Sequence, residues 1–310
     1  LRESVAARLT THGISCSADN ILICPSVDLT IYSICASLMS GGANLLHEEA
    51  NLLNNVSNIH SLGLNMIPVK MDAKGISPRH LEAALLKSKY PVLHVDTSDQ
   101  APTGVTMTRS RLTELIHLIN KYRVPTIETD HMRDAWCDKP FPKPLKAYDV
   151  NSNVINIGTI IRGHPINMQM SWVVADRFYI EHIHNVIMQL SAKVSILGQL
   201  IADEMFRSGM YYRMMEDIRA FICERRELAF TLCRKYLNHK VELNERNCGF
   251  HFWMKLNGVK TNQIKIFENT PDYYPGYFFD KTDTSHVLLC PASLTRQQLE
   301  SAVKEIASLS

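Results

Sequence analysis

Short apolar runs alternate with longer stretches of helical spacing along the first half of the chain, and this alternation constrains the fold more than any other feature. Arg2 to Thr11 has helical periodicity and leads into the strand-like run NILICP (20–25). Asp28 to Leu38 is helical and leads to ANLLH (43–47); Asn51 to Leu62 is helical and leads to LNMIPVKM (64–71). Ser77-Pro78 opens a helix through Leu86, with Ser77 at the N-cap and Pro78 at the first helical position. PVLHVD (91–96) reads as a strand, 109–122 as a helix and VPTIETD (124–130) as a strand. VINIGT (154–159) and MQMSWVVA (168–175) are two more strands. Parallel strands need long crossovers, which helices supply, so the pattern predicts an α/β fold: a mostly parallel sheet with helices on both faces.

The pattern changes at Asp176. From there to Leu237 the chain is almost all helical, broken near Ser208-Gly209. The tail mixes the strands GFHFWMKL (249–256) and HVLLCP (286–291) with a last helix from Thr295 to Leu309. The expected organisation is a large α/β domain over 1–180, connecting helices over 181–235 and a smaller α+β domain over 236–310. YYPGYFFDKTD (273–283) is expected to be a flexible loop, because Pro275-Gly276 marks a turn.

With 310 residues, 45% of them hydrophobic, the chain can bury one large or two medium cores. A net charge of +2 excludes a basic nucleic-acid surface, so the chain by itself is not expected to hold DNA. The eight cysteines form no CxxC pair and several sit in apolar runs; they read as buried free thiols of a reducing cytosol, rather than disulfides or a zinc site. No apolar run approaches membrane-spanning length, and no signal peptide is recognisable. The chain opens on the helical pattern LRESVAARL with no initiator methionine, as expected for part of a longer protein.

Several segments, in order, resemble a known family. They are LRESVAARLTTHGISCSADNILI at the start, PTGVTMT (102–108), KPLKAYD (143–149), NIGT (156–159) and SGMYYRMMEDIRAFICERREL (208–228). The chain resembles fold-type I pyridoxal-phosphate aminotransferases, and most closely the C-terminal domain of MocR-type regulators in the GntR family. Ser208-Gly209, Tyr211, Arg213, Arg219 and Glu224-Arg225-Arg226 mark the MocR branch. The resemblance implies a large domain with a mostly parallel, seven-stranded type of sheet and a small C-terminal α+β domain.

The same resemblance locates the cofactor site, and the residues there have changed. The Schiff-base lysine should follow the strand that ends at Thr159; this chain has Arg162 there, and no lysine occurs between Ala147 and Ala192. A Schiff base needs an amine that can lose its proton, and arginine stays charged. The preceding serine, which touches the phosphate, is Ile161, and the arginine that completes the phosphate cup is Gln169. The aspartate that keeps the pyridine nitrogen protonated maps to Thr129, with Asp130 one residue away. The tyrosine at the cofactor oxygen becomes His131. The glycine-containing phosphate turn becomes Cys24-Pro25-Ser26-Val27-Asp28. There Pro25 removes an N–H donor, and Asp28 puts a carboxylate at the helix N-terminus, where it caps the helix and repels a dianion. The aromatic that stacks on the ring maps to Leu52, and the substrate-clamping arginine to Leu288.

Other residues carry competing readings. Arg162 either marks a new anion site, with His164 and His131 beside it, or forms a structural ion pair with Asp28 or Asp130. His182 and His184 face different sides of one helix and read as solvated, so no metal site is expected. His47-Glu48-Glu49 lacks the second histidine of a zincin. Asp130, His131 and Cys137 resemble a Cys/His nucleophile set only weakly, with a buried thiol as the default. The Met and Tyr residues of 209–215 read as packing, and Arg213, Arg219, Arg225 and Arg226 as a solvated or dimer-facing stripe.

The expected function is therefore the effector-sensing and dimerisation domain of a GntR/MocR-like transcription regulator, an aminotransferase fold without the reaction. No pyridoxal phosphate is expected. The expected partners are a second copy of the chain and a small-molecule effector, anionic if it meets Arg162. DNA would be reached only through a separate N-terminal winged-helix module outside this chain, in the cytoplasm and away from membranes. The alternatives are a working class I/II pyridoxal-phosphate aminotransferase, which requires a shifted register around Arg162, and a catalytically silent scaffold subunit.

Overall fold

The runs NLLHE and PVLHVD are buried at all but one position, as strands covered on both faces must be. They lie in the middle of the main sheet of the computed structural model. The structure describes residues 1–38, 42–55, 57–130, 133–135, 137, 143–159, 170–237, 240–243, 250–258, 260–261 and 273–309.

The first half of the chain contains α1 (Arg2–Thr11), β1 (Ile21–Cys24), α2 (Val27–Leu38), β2 (Asn44–Glu48), α3 (Ser57–His60), β3 (Asn65–Val69), β4 (Met71–Asp72), β5 (Gly75–Ile76), α4 (Pro78–Lys87), β6 (Pro91–Asp96), α5 (Arg109–Tyr122), β7 (Thr126–Thr129) and β8 (Val154–Thr159). There follow β9 (Ser171–Val174), α6 (Arg177–Gln189), α7 (Ile196–Arg207), α8 (Met210–Tyr236), β10 (Val241–Leu243), β11 (Phe252–Leu256), β12 (Tyr273–Pro275), β13 (His286–Leu289) and α9 (Arg296–Leu309).

Among the described residues, seven strands form one sheet in the order β1-β9-β8-β7-β6-β2-β3. The pairs from β8 through β3 are parallel, whereas β9 runs antiparallel to both β1 and β8. Successive side chains of a strand point to opposite faces. Leu45 accordingly joins Ile31, Ile34 and Ile183 under α2 and α6, and Leu46 joins Leu81, Leu112 and Leu115 under α4 and α5. The mostly parallel sheet with helices on both faces is thus present as the periodicity predicts.

A second, four-stranded antiparallel sheet has the order β10-β11-β13-β12 and packs against α9 and the end of α8. The 27 residues of α8 span about 40 Å at a rise of ~1.5 Å per residue. Tyr211 and Met215 at its start belong to the core around Trp172, and Ala229, Phe230 and Cys233 near its end belong to the core of the small sheet. One helix therefore contributes to both cores.

Ser77 and Pro78 do open α4, but the Ser77 hydroxyl bonds to His80 Nδ1 (2.9 Å) instead of capping. Asn51 to Leu62 does not form one helix. A 3-10 turn over Leu52–Asn55 precedes the single helical turn of α3. The Asn51 carboxamide oxygen accepts from the Leu53 amide (2.9 Å), and such local bonds in an Asn-rich stretch compete with the helix. The expected flexible loop at 273–283 is instead structured: Tyr273–Pro275 pairs with β13, and Phe279 is fully buried beside Trp253. Its aromatic side chains bury too much apolar surface to stay in water.

The cysteine expectation also needs correction. Cys137 and Cys223 are disulfide-bonded across 86 residues of chain, with Cα atoms 5.8 Å apart. Cys16, Cys24, Cys35, Cys233 and Cys290 are free thiols, and Cys248 lies outside the described residues. Burial pushes the thiols of Cys24, Cys35 and Cys233 up to about 12, which leaves them inert. Among the described residues no helix is long and apolar enough to cross a membrane.

Two of the segments that carried the resemblance have structural roles here. Glu128 on β7 is fully buried and accepts from the amides of Leu145 (2.6 Å) and Lys146 (2.9 Å), which fixes KPLKAYD beneath the sheet. Gly158 of NIGT lies against the Trp172 indole; a Cβ there would fall 2.5 Å from Cε2 and 2.6 Å from Nε1. Gly158→Ala should therefore cost about 1–3 kcal/mol through overpacking. A lower urea midpoint with an unchanged slope is expected, and an unaltered midpoint would show that the indole yields freely.

Candidate functional site

In an open parallel sheet, ligands bind beyond the carboxyl ends of the strands. At that edge Cys24, Ser171 and Thr159 lie in one row across β1, β9 and β8, and Thr129, Asp96 and Glu48 end β7, β6 and β2. The structure thus brings Ser26, Val27, Asp28, Thr129, Asp130 and Thr159 to the same edge of the sheet. Leu52 follows β2 in the 3-10 turn and is half-buried. Leu288 belongs to the small sheet, buried in register with Trp253 and Tyr274. His131, Ile161, Arg162 and Gln169, with His164, lie outside the described residues.

The helix that follows β1 is capped by Ser26 and not by Asp28. The Ser26 hydroxyl accepts from the Leu29 amide (3.3 Å), and the Ser26 carbonyl accepts from the Thr30 amide (3.0 Å). Asp28 is exposed in the first turn. Its carboxylate is set by geometry against an anion at that helix end, but it does not serve as the cap.

At the position that the resemblance gives to the ring aspartate, Thr129 is buried, and its hydroxyl hydrogen-bonds to His94 Nε2 (2.8 Å). His94 is fully buried, and burial, with the nearby His47, lowers its imidazole to about 3. It is neutral, and offers no cation to a phosphate. Asp130, one residue on, pairs with Arg133 and accepts from the Ser98 hydroxyl (2.6 Å). Asp130 is therefore held by Arg133, and the Arg162 pairing falls outside the described residues. These groups do not fit the ring of pyridoxal phosphate: a protonated pyridine nitrogen needs a free carboxylate, and it would meet a neutral hydroxyl already bonded to a neutral imidazole.

The main chemistry that the sequence left unread is a set of buried acids. Glu48 on β2 is fully buried, and its Oε2 accepts from Asn51 Nδ2 (3.2 Å), the Asp96 amide (3.1 Å) and Gln100 Nε2 (3.4 Å). Burial first, then the neighbouring Asp96, holds its carboxyl well above the ordinary range. Burial, with Asp130, also raises Glu128, although Thr97 Oγ1 (2.6 Å) and Asn156 Nδ2 (2.9 Å) donate to it. Asp99 accepts from the Phe250 amide (3.0 Å), and so ties the β6–α5 connection to the small sheet's side. The sequence signal was available: each of NLLHE, PVLHVD and TIETD ends an apolar strand on an acid.

The remaining candidates resolve as packing or scaffold. Tyr211 and Met215 are buried in the core around Trp172, and His182 and His184 are exposed on α6. Arg219 does not lie in a solvated stripe, since its guanidinium donates to the Asp134 carbonyl (3.0 Å). The Asp134 carboxylate pairs with Arg8 and accepts from the Tyr211 hydroxyl, and Arg8 lies 5.0 Å from the Trp172 ring centroid. Cys137 is bonded to Cys223 and cannot act as a nucleophile in that form.

Between the two sheets a cleft of about 450 Å³ is lined by Glu49, Asp72, Thr103, Trp253, Asp280, Asp283 and His286 among others. Asp72 pairs there with Arg111 (2.9 Å) and Asp283 with His286 (2.7 Å). The lining is acidic, which opposes an anion in this cleft.

Comparison with known proteins gives two kinds of match. No family model matches the chain. In sequence it is 28% identical to the HTH-type transcriptional regulator YdfD of Bacillus subtilis over 256 residues, 83% of this chain and 53% of that protein. It is 25% identical to the HTH-type regulator YisV of the same organism, across 99% of this chain and 64% of that protein. The chain thus spans between half and two thirds of the length of these curated relatives. In structure it matches the Pyrococcus horikoshii kynurenine aminotransferase with a TM-score of 0.90 at 20% identity, covering 99% of this chain and 79% of that one. An archaeal alanine:glyoxylate aminotransferase matches with a TM-score of 0.89 at 20% identity, over the same shares of each chain.

The fold is that of the fold-type I aminotransferases. The sequence relatives are HTH-type transcriptional regulators, so the chain is an aminotransferase-like domain similar in sequence to part of those regulators.

The buried acids make a pH prediction. Unfolded Glu48 loses its proton near the ordinary value of 4.5, whereas the folded carboxyl keeps it to a higher pH. The stability that Glu48 contributes is thus full below that value and is lost as pH rises through the folded one. His94 acts in the opposite direction: its contribution is present above the ordinary 6.5 and is lost as pH falls toward about 3. Glu48→Gln mimics the neutral acid. Its melting temperature relative to the parent should rise progressively as pH climbs above the ordinary 4.5. A pH-independent difference between the two proteins would contradict a raised Glu48.

Proposed function

We propose that this chain is the effector-sensing and dimerisation part of a GntR/MocR-like transcriptional regulator, and that its aminotransferase fold works without the Schiff-base reaction. The observation that carries this reading is the Thr129–His94 hydrogen bond at the ring position, where a free carboxylate is required. Two further facts support it: arginine stands at residue 162, in a stretch without lysine from Ala147 to Ala192, and the sequence relatives are HTH-type regulators. No pyridoxal phosphate is held, and no catalytic residue is assigned.

DNA is contacted through a separate winged-helix module of the longer protein, consistent with relatives that extend well beyond this chain and with a net charge of only +2. Dimerisation is supported by the exposed apolar side chains of Met188 and Leu190 at the end of α6 and of Ile196, Leu197, Leu200 and Ile201 along α7. The protein acts in the cytoplasm. The anionic character of the effector rests on Arg162 alone, and the acidic cleft between the sheets is not its place. The proposed organisation remains a large domain over 1–180, connecting helices over 181–235 and a small domain over 236–310.

Incubation with pyridoxal phosphate should leave no aldimine absorbance band and no borohydride-trapped adduct, and Arg162→Lys alone should gain no transaminase turnover. Measurable turnover in that single variant would revive the enzyme reading. Light scattering at micromolar concentration should give a dimer; a monomer would remove the dimerisation part. Thermal-shift screening of amino acids, sugars and phosphates should find a stabilising effector, because a ligand of the native state raises its stability.

A further inference from the structure

The segment that leaves β7 is fastened at three successive points. Asp130 is held by Arg133 and Ser98; Asp134 is held by Arg8, Tyr211 and Arg219; and Cys137 is bonded to Cys223. Cys223 lies on α8 between Met215, in the core around Trp172, and Ala229, in the core of the small sheet. The bond therefore joins the segment that follows the candidate-site strand to a helix that serves both cores.

Cys137 and Cys223 are both half-buried, unlike Cys24, Cys35 and Cys233, which are enclosed in the cores. A small thiol or disulfide can reach them. The Asp134 contacts do not involve sulfur, so they hold Asp134, three residues from Cys137, against Arg219 and Tyr211 of α8 whether the bond is open or closed. That keeps the two sulfurs at high effective concentration, which favours reversible closure.

We propose that Cys137 and Cys223 are a reversible dithiol–disulfide switch that clamps α8 to the β7 segment. The oxidant is a low-molecular-weight disulfide. One of the two thiolates attacks a sulfur of that disulfide, forms a mixed disulfide and expels one thiolate of the small molecule. The other cysteine, as its thiolate, then attacks the protein sulfur of the mixed disulfide, forms the Cys137–Cys223 bond and expels the second small thiolate. In total two protein thiols and one small disulfide become one protein disulfide and two small thiols, with two electrons passed to the oxidant. The same steps in reverse open the clamp. The switch does not depend on the regulator reading, since it needs only the fold.

The test is a glutathione redox titration of the purified chain, read by alkylation and peptide mass mapping. The expected result is a Cys137–Cys223 linked peptide whose yield passes from low to high across physiological ratios of reduced to oxidised glutathione. The oxidised protein should melt roughly 5 °C or more above the reduced one, because the bond closes a long loop. Hydrogen exchange along 210–236 should slow with it. Cys137→Ser and Cys223→Ser should each abolish the linked peptide and the melting shift. The titration on the parent protein decides the matter if either variant folds poorly. Free Cys137 and Cys223 at the oxidising end would overturn the proposal. So would a bond that millimolar reduced glutathione never opens, or a melting shift that survives in both variants.

Discussion

A carboxyl group buried at the end of a parallel strand must find donors or stay protonated, and the carboxyl edge of the large sheet is organised by that requirement. Glu128 finds donors in Thr97, Asn156 and the amides of Leu145 and Lys146. Glu48 finds Asn51, Gln100 and the Asp96 amide, and remains raised all the same. Asp130 takes Arg133 and Ser98. These groups are neutralised by the protein itself, and Thr129 and His94 satisfy one another in the same way. Not every polar atom is matched: Glu48 Oε1 and His94 Nδ1 are buried with no hydrogen-bond partner among the described residues.

The scaffold has supports of its own, independent of any reaction chemistry. The segments that carried the family resemblance are held by packing and backbone hydrogen bonds. Gly158 is needed by Trp172, Tyr211 and Arg219 by Asp134, and Leu145 and Lys146 by Glu128. None of these roles involves a cofactor. A substitution at the reaction centre can therefore be absorbed without loss of fold, and fold alone does not fix function.

Much of the architecture was legible because parallel strands and their crossover helices leave strong periodicities. Leu45 and Leu46 are adjacent in sequence, and they enter opposite cores as a period of two demands. The altered site residues are read as changes of chemical type at positions that the resemblance assigns, and His131, Ile161, Arg162 and Gln169 among them lie outside the described residues. What the sequence did not disclose depends on contacts distant along the chain or on local competition. The Cys137–Cys223 bond spans 86 residues with no spacing motif to announce it. The Asn51 side chain diverts a helix into a 3-10 turn, and the aromatic run at 273–279, which has no strand alternation of its own, pairs with β13. The capping role passed from Asp28 to Ser26, two residues away, which only backbone geometry could decide.

At the position that the resemblance gives to the ring aspartate, the Thr129 hydroxyl is bonded to a neutral His94 and offers no carboxylate to a pyridine nitrogen, and the proposed loss of the vitamin B6 cofactor rests on that bond. A crystal structure determined after soaking with pyridoxal phosphate tests it most directly. The expected density shows the Thr129–His94 hydrogen bond intact and no continuous link from the cofactor to any side chain. Density joining the cofactor aldehyde carbon to a lysine nitrogen, with Thr129 turned away from His94, would contradict it.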